Sequence, residues 1–126
     1  MKKADKKSIN SAASVRCHIN GKKSLIHVNT RLDYIDYGST IESIVRALYV
    51  NGDYKPYLKR YVTYSVLIER YTDYKGIYSP EVILPLCEKT SFYKKITSKI
   101  DRTQLRQLYA DIDELIQYKN SHPNKV

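Results

Sequence analysis

The residues able to do acid–base, nucleophilic or metal chemistry are few and scattered. There are three histidines, His18, His27 and His122, and two cysteines, Cys17 and Cys87. His18 and His27 fall on two segments that read as paired strands, so they could approach each other across a hairpin, with Cys17 beside His18. Neighbours along a strand point to opposite faces, so Cys17 and His18 do not converge on one metal ion. No C-x-x-C or H-x-x-x-H spacing occurs, which removes the usual zinc patterns. Asp111, Asp113 and Glu114 form an acidic cluster. Asp111 and Glu114 are i, i+3 neighbours and could hold a cation loosely, but a solvated helix face accounts for them more simply. The phosphate loop G-x-x-x-x-G-K-[ST], the dinucleotide loop G-x-G-x-x-G and the nucleophile elbow G-x-S-x-G are all missing. No nucleophile is paired with a base. The expectation is a non-enzymatic protein with no catalytic residues, no metal, no cofactor and no small-molecule substrate.

Charge and tyrosine remain as the distinctive chemistry. The chain of 126 residues carries a net charge of +9, unevenly placed. Residues 1–31 hold eight Lys or Arg against Asp5 alone, while the remainder holds fourteen bases and twelve acids. Lys2, Lys3, Lys6, Lys7, Arg16, Lys22 and Lys23 are therefore candidate contacts to nucleic acid or to an acidic protein surface. A solvated tail that aids solubility explains the same lysines. A second basic stripe comprises Lys89, Lys94, Lys95, Lys99, Arg102 and Arg106, of which Lys95, Lys99 and Arg102 share a face at helical spacing. Of the 13 tyrosines, ten lie between Tyr34 and Tyr78, and there is no tryptophan. Tyrosine couples a large apolar ring to a polar tip, which suits a core edge, a protein interface or a stacked base.

These groups must be positioned by a mainly α fold. At 42 % apolar and 28 % charged residues, the length fits one domain with a modest core. No apolar run is long enough to span a membrane. No apolar stretch follows the N-terminal lysines as in a secretory leader. Both cysteines are expected as reduced thiols. Residues 1–14 show no repeating apolar face and read as a flexible basic arm; residues 15–126 read as a single helical domain. Val15, Cys17 and Ile19 alternate, as do Leu25 or Ile26 and Val28, about the turn signal Asn20-Gly21, so 15–30 is a candidate hairpin. Ser39 and Glu42 have the spacing of a capping box, and Ile41, Ile44, Val45, Leu48 and Tyr49 make one apolar stripe that Asn51-Gly52 ends. Asp53 and Pro56 then open a helix over 54–74. Apolar and tyrosine residues run almost all round it, as in a helix enclosed by others. Ser79-Pro80 starts a short helix that Pro85 bends or restarts. Thr90 or Ser91 caps another, with Phe92, Ile96 and Ile100 on one face. Asp101 and Gln104 open the last helix, striped by Leu105, Leu108, Tyr109, Ile112, Leu115 and Ile116. The expected fold is a small bundle of four or five helices around the 54–74 helix, with an N-terminal basic arm and the candidate hairpin. Tyrosines of the central helix left uncovered, among Tyr54, Tyr57, Tyr64, Tyr71 and Tyr74, are candidate partner contacts.

The run YGSTIESIVRALYVNGDYKPYLKRYVTYSVLIERYTDYKG, with the later IDRTQL, resembles small uncharacterised proteins encoded among the virion genes of tailed bacteriophages. The likeness covers about residues 37–118. It lies in an amphipathic helix, an N-G-x-Y-x-P-Y-L turn, a helix ending in Y-T-x-Y and a late I-D-x-x-Q-L segment. The resemblance implies a structural or assembly role at the head–tail junction or on the capsid. The partners would be other virion proteins or copies of the chain itself. The place of action would be the host cytoplasm during assembly and then the virion. A small basic nucleic-acid-binding protein, a regulator or an inhibitor of a host nucleic-acid enzyme, is the alternative expectation.

Overall fold

A computed structural model describes residues 12–122. Lys2, Lys3, Lys6 and Lys7 lie outside the described residues. The fold is mostly helical, with five α-helices and an N-terminal two-stranded hairpin. Strands β1 (Ala12–Ile19) and β2 (Lys22–Asn29) pair antiparallel, with Val15 opposite Ile26 and Cys17 opposite Ser24. Asn20 and Gly21 take φ of 55° and 77°, the left-handed pair that a two-residue hairpin turn requires. Val15, Cys17, Ile26 and Val28 are buried, which settles the register: Ile26, not Leu25, is the inward residue. Pairing starts at Ala12, so residues 12–14 belong to the hairpin and not to the arm expected over 1–14.

A two-stranded ribbon is marginal by itself, and this one is fastened to the helical body at three places. Val28 bridges Thr72, and the His27 amide donates to Asp73 Oδ1 at 2.9 Å while the Asp73 amide donates back to the His27 carbonyl. The Asp101 amide donates to the Thr30 carbonyl at 2.7 Å. Lys95 Nζ donates to the Arg16 carbonyl at 2.8 Å.

Helix α1 (Tyr34–Ala47) begins six residues earlier than a Ser39 cap would place it. Asp33 is the cap, accepting from the Asp36 amide at 2.8 Å. Ser39 therefore sits inside the helix. Its hydroxyl, with that of Ser43, accepts from the Arg70 guanidinium. Residues 49–54 are not a helix end followed by a cap. Strands β3 (Tyr49–Val50) and β4 (Asp53–Tyr54) form a second small hairpin, with Asn51 and Gly52 at φ of 53° and 84°. Asp53 is thereby drawn into a strand and caps nothing.

A 3₁₀ turn over Pro56–Leu58 leads into α2 (Lys59–Tyr71), which packs against α1, α3 (Pro80–Glu88) and α4 (Phe92–Thr97). Within α2 only Arg60 and Glu69 are exposed; Val62, Leu67, Ile68 and Tyr71 are buried and the other residues are half-buried. The helix ends at Tyr71, short of Lys75-Gly76, because Thr72 turns to extended backbone and bridges β2. Helix α3 runs through Pro85, whose ring is exposed. Helix α5 (Arg102–Ser121) packs along α1 and buries Leu108, Ile112 and Ile116.

The polar centre of the core is Gln104, 7 % exposed. Asp101 caps α5 by accepting from the Gln104 amide at 3.0 Å, as the capping-box spacing predicts, but the Gln104 side chain does not reach back. Its Oε1 accepts from the Leu32 amide at 2.8 Å and from the Tyr71 hydroxyl at 2.7 Å, while Nε2 donates to the Leu32 carbonyl at 3.0 Å. One amide thus ties the exit of the ribbon to α2 and α5. Burial pushes the Tyr71 phenol well above its ordinary value.

Candidate functional site

The most distinctive surface grows from two segments far apart in sequence. From Ala12 to Leu32 there is no Asp or Glu, and Arg16, Lys22, Lys23 and Arg31 are the charged groups. From Lys89 to Ile100 there is again no acid, and Lys89, Lys94, Lys95 and Lys99 are the charged groups. The fold sets α4 beside β1. The two segments carry eight cations between them, and the Lys95–Arg16 hydrogen bond joins one segment to the other.

The ribbon sorts its side chains by the period-2 pleat. Ser14, Arg16 and His18 from β1 and Lys23, Leu25 and His27 from β2 point outward and are exposed. Arg16 stands across from Leu25, and His18 across from Lys23. Lys95 closes one side of a depression of about 390 Å³ whose walls include Arg16, His18, Lys23 and Leu25. At the turn end, His18 and Asn20 face Lys89 and Glu81 across a second depression of about 440 Å³. Lys95 also occupies an outward carbonyl of β1, and a lysine at that position discourages another strand from adding there.

The acids bordering this face are Asp73, Asp101 and Glu81. Asp73 is held by His27, whose Nδ1 lies 2.9 Å from Oδ2. Asp101 is bound by Arg31 at 2.9 Å; the Gln104 amide first, and Arg31 with it, hold its carboxyl below the usual carboxylate range. Among the described residues no acid forms an ion pair with Arg16, Lys22, Lys23, Lys89, Lys94, Lys95 or Lys99. A set of like charges with little internal compensation projects a positive potential over about a Debye length, ~8 Å at physiological salt.

The expected contact residues fare differently. Arg16 and Lys23 lie on this face, whereas Lys22 has the parity of Ile26 and Val28 and lines a separate depression with Tyr74 and Lys75. Tyr71 and Tyr74 are core residues, 0 % and 8 % exposed, and present no surface to a partner. Tyr74 turns inward because its ring packs edge-on against Phe92, centroids 5.5 Å apart. Tyr64 is half-buried against Tyr93, and Tyr54 lies over Tyr49 in the β3–β4 hairpin. Tyr57 alone of the five is open, at 78 %. Tyr34 and Ile35, in the first turn of α1, are open at 89 % and 77 % and were not among the expected contacts. The signal that finds them is the Asp33-x-x-Asp36 start, which moves the helix back onto them. Lys95, Lys99 and Arg102 do not share one helix face, because the chain leaves helix between Thr97 and Arg102.

The chemistry-bearing residues are not gathered. His18 pairs with Lys23 and His27 with Ser14, so the two histidines stand four positions apart along the ribbon, roughly 13 Å. Both thiols are free. Burial raises the Cys17 thiol against the opposing pull of Lys95, and burial then Glu88 push Cys87 up to about 12, which keeps both protonated at neutral pH. In the acidic cluster, Asp111 accepts from the Tyr37 hydroxyl at 2.6 Å and from Gln107, and Asp113 pairs with Lys59. Among the described residues no three His, Cys, Asp or Glu side chains converge as metal ligands, and no described helix is long and apolar enough to cross a membrane.

Compared with known proteins, the chain matches no family model, no curated protein and no solved structure.

Proposed function

We propose that this chain is a non-enzymatic structural or assembly protein of a tailed bacteriophage, at the head–tail connector or on the capsid, working through docking contacts. It acts in the host cytoplasm during assembly and then in the virion, beside other virion proteins or copies of itself. In this reading α2 is the axis of the small helical bundle, and the bundle is a rigid body that presents the ribbon to a neighbour. The observation that carries a docking role is the joining of two acid-free segments into one cationic face. A partner of opposite charge relieves the repulsion within such a face and is steered to it. Exposed Tyr34, Ile35 and Tyr57 offer apolar contact area of the kind protein interfaces use. The placement in a phage particle comes from the sequence resemblance over residues 37–118.

Antibody detection in purified particles, with the native mass of the pure protein, tests the proposal. It predicts the protein in intact particles and either self-association or capture by a virion protein. A strict monomer that no particle contains removes the reading. A second reading, a small basic nucleic-acid-binding regulator or inhibitor, is favoured by the lysine-rich make-up of the face. It predicts nucleic-acid binding by a protein that particles lack.

A further inference from the structure

We infer that the outer face of the β1–β2 ribbon, with the lysines of residues 89–99, binds duplex DNA without regard to sequence. This rests on the cationic face being a docking surface and names the ligand that occupies it. Composition separates nucleic acid from protein as that ligand. Six of the eight cations are lysines, Arg16 and Arg31 being the exceptions. Protein interfaces are depleted of lysine and enriched in aromatic rings. The rings near this face are already engaged: Phe92 is buried, and Tyr93 packs on Tyr64 and lies within hydrogen-bond distance of the Tyr109 hydroxyl. Lysine heads are hydrated point charges suited to phosphates, and duplex DNA supplies about one negative charge per 1.7 Å of its axis.

Shape and side-chain chemistry separate duplex DNA from other nucleic acids. Eight-residue strands give a ribbon roughly 27 Å long. The major groove of B-DNA, ~12 Å wide, admits a two-stranded ribbon, whereas the deep, narrow major groove of duplex RNA does not. Single strands are held by stacking their bases on exposed rings, and the outward residues Ser14, Arg16, His18, Lys23, Leu25 and His27 include no aromatic ring beyond the two imidazoles. The same six include no Asn or Gln for reading adenine, and the charges of Arg16 and Lys23 are assigned to phosphates, which position a duplex without carrying sequence information. Arg16 and Lys23 project from the ribbon. Lys95, bonded to the Arg16 carbonyl, stands at its edge.

Fluorescence anisotropy of the full chain tests this with four labelled probes over a salt series. They are duplex DNA of roughly 20 base pairs, about two turns, duplex RNA and single-stranded DNA of that length, and polyglutamate of matched charge. Duplex DNA is expected to bind tightest, with log K falling linearly in log salt. Replacing Arg16→Thr, Lys23→Thr and Lys95→Gln together lowers the slope by about 2.7, at about 0.9 per phosphate contact. Lys23→Thr, Lys89→Gln and Lys94→Gln, which spares the Lys95–Arg16 bond, lowers it similarly. Arg46→Gln, Lys55→Gln and Lys119→Gln, of equal charge loss around the β3–β4 end, leaves it unchanged. Polyglutamate binding as tightly as duplex DNA overturns the inference while the docking role survives, as does preference for RNA or single strands. Face variants that leave the slope unchanged overturn the location. Failure of all four probes at low salt removes the docking role as well.

Discussion

Replacing Gln104 with leucine tests whether one buried amide organises the junction of ribbon, α2 and α5. The substitution keeps the approximate volume and removes every polar atom. It strands the Leu32 amide, the Leu32 carbonyl and the Tyr71 hydroxyl, which now bond the Gln104 side chain at 2.8, 3.0 and 2.7 Å. A buried polar group without a partner costs about 1–3 kcal/mol. A cavity of about 380 Å³, walled in part by Gln104, Tyr37 and Arg31, lets water reach some of them. The expected loss is therefore near the lower end for three groups, about 3–5 kcal/mol. That is a large part of the ~5–15 kcal/mol that holds a domain folded. Tyr71→Phe removes one donor and leaves Oε1 bonded to Leu32, so it costs about 1 kcal/mol. In the double variant no hydroxyl is stranded, and the total falls short of the sum of the singles by about 1 kcal/mol. Urea unfolding followed by circular dichroism reads all three, with an unchanged denaturant slope. A Gln104→Leu loss under about 1 kcal/mol, or strict additivity with Tyr71→Phe, refutes the reasoning.

Three further outcomes follow from the same contacts. The Asp101 carboxyl is held below its ordinary value by the Gln104 amide and Arg31, so its stabilising effect is present above the unfolded carboxylate pKa and is lost as pH falls through the lower folded value; Asp101→Asn should make acid unfolding shallower, and an unchanged acid limb contradicts this. Burial first raises the phenols of Tyr37, Tyr71, Tyr78 and Tyr93; neighbouring groups add to it, except that Arg31 opposes it at Tyr71. Their contribution to stability is intact below about pH 10 and drains away above it. Spectrophotometric titration should show these four ionising only as the chain unfolds, and a single transition of all 13 tyrosines near pH 10 contradicts it. At Gly76 an added Cβ would overlap the Tyr74 phenol. Gly76→Ala should cost about 1–3 kcal/mol by displacing that ring from Phe92 and Tyr78, and a neutral result in denaturant unfolding counts against the packing.

Much of the fold is legible in local pattern, and its failures have local causes. The helix over 59–71, the stripe of Phe92, Ile96 and Ile100, the Asp101 cap and the Asn20-Gly21 turn all follow from spacing and turn chemistry. Asn51-Gly52 misleads because the same left-handed pair serves a helix end or a hairpin turn. Choosing between them needs Tyr49 and Tyr54 to meet across the turn, which is a tertiary fact. Ser39 misleads because Ser-x-x-Glu has the form of a cap. Asp33-x-x-Asp36 competes for the same role, and Ser39 is instead taken by Arg70. Tyr71 and Tyr74 are indistinguishable from surface tyrosines until Gln104 and Phe92 are seen beside them. The cationic face is half legible: both basic segments stand out in the sequence. That they adjoin depends on α4 packing on β1, with Lys95 and Arg16 79 residues apart in sequence, which no spacing rule encodes.

The joining of those two segments is best tested by amide shift mapping of isotope-labelled protein titrated with a polyanion, duplex DNA first and polyglutamate second. The account predicts that amides within 14–31 and 89–99 move together along one binding curve, while those of the β3–β4 end stay still. Movement of only one segment, or of the β3–β4 end in place of the ribbon, contradicts it.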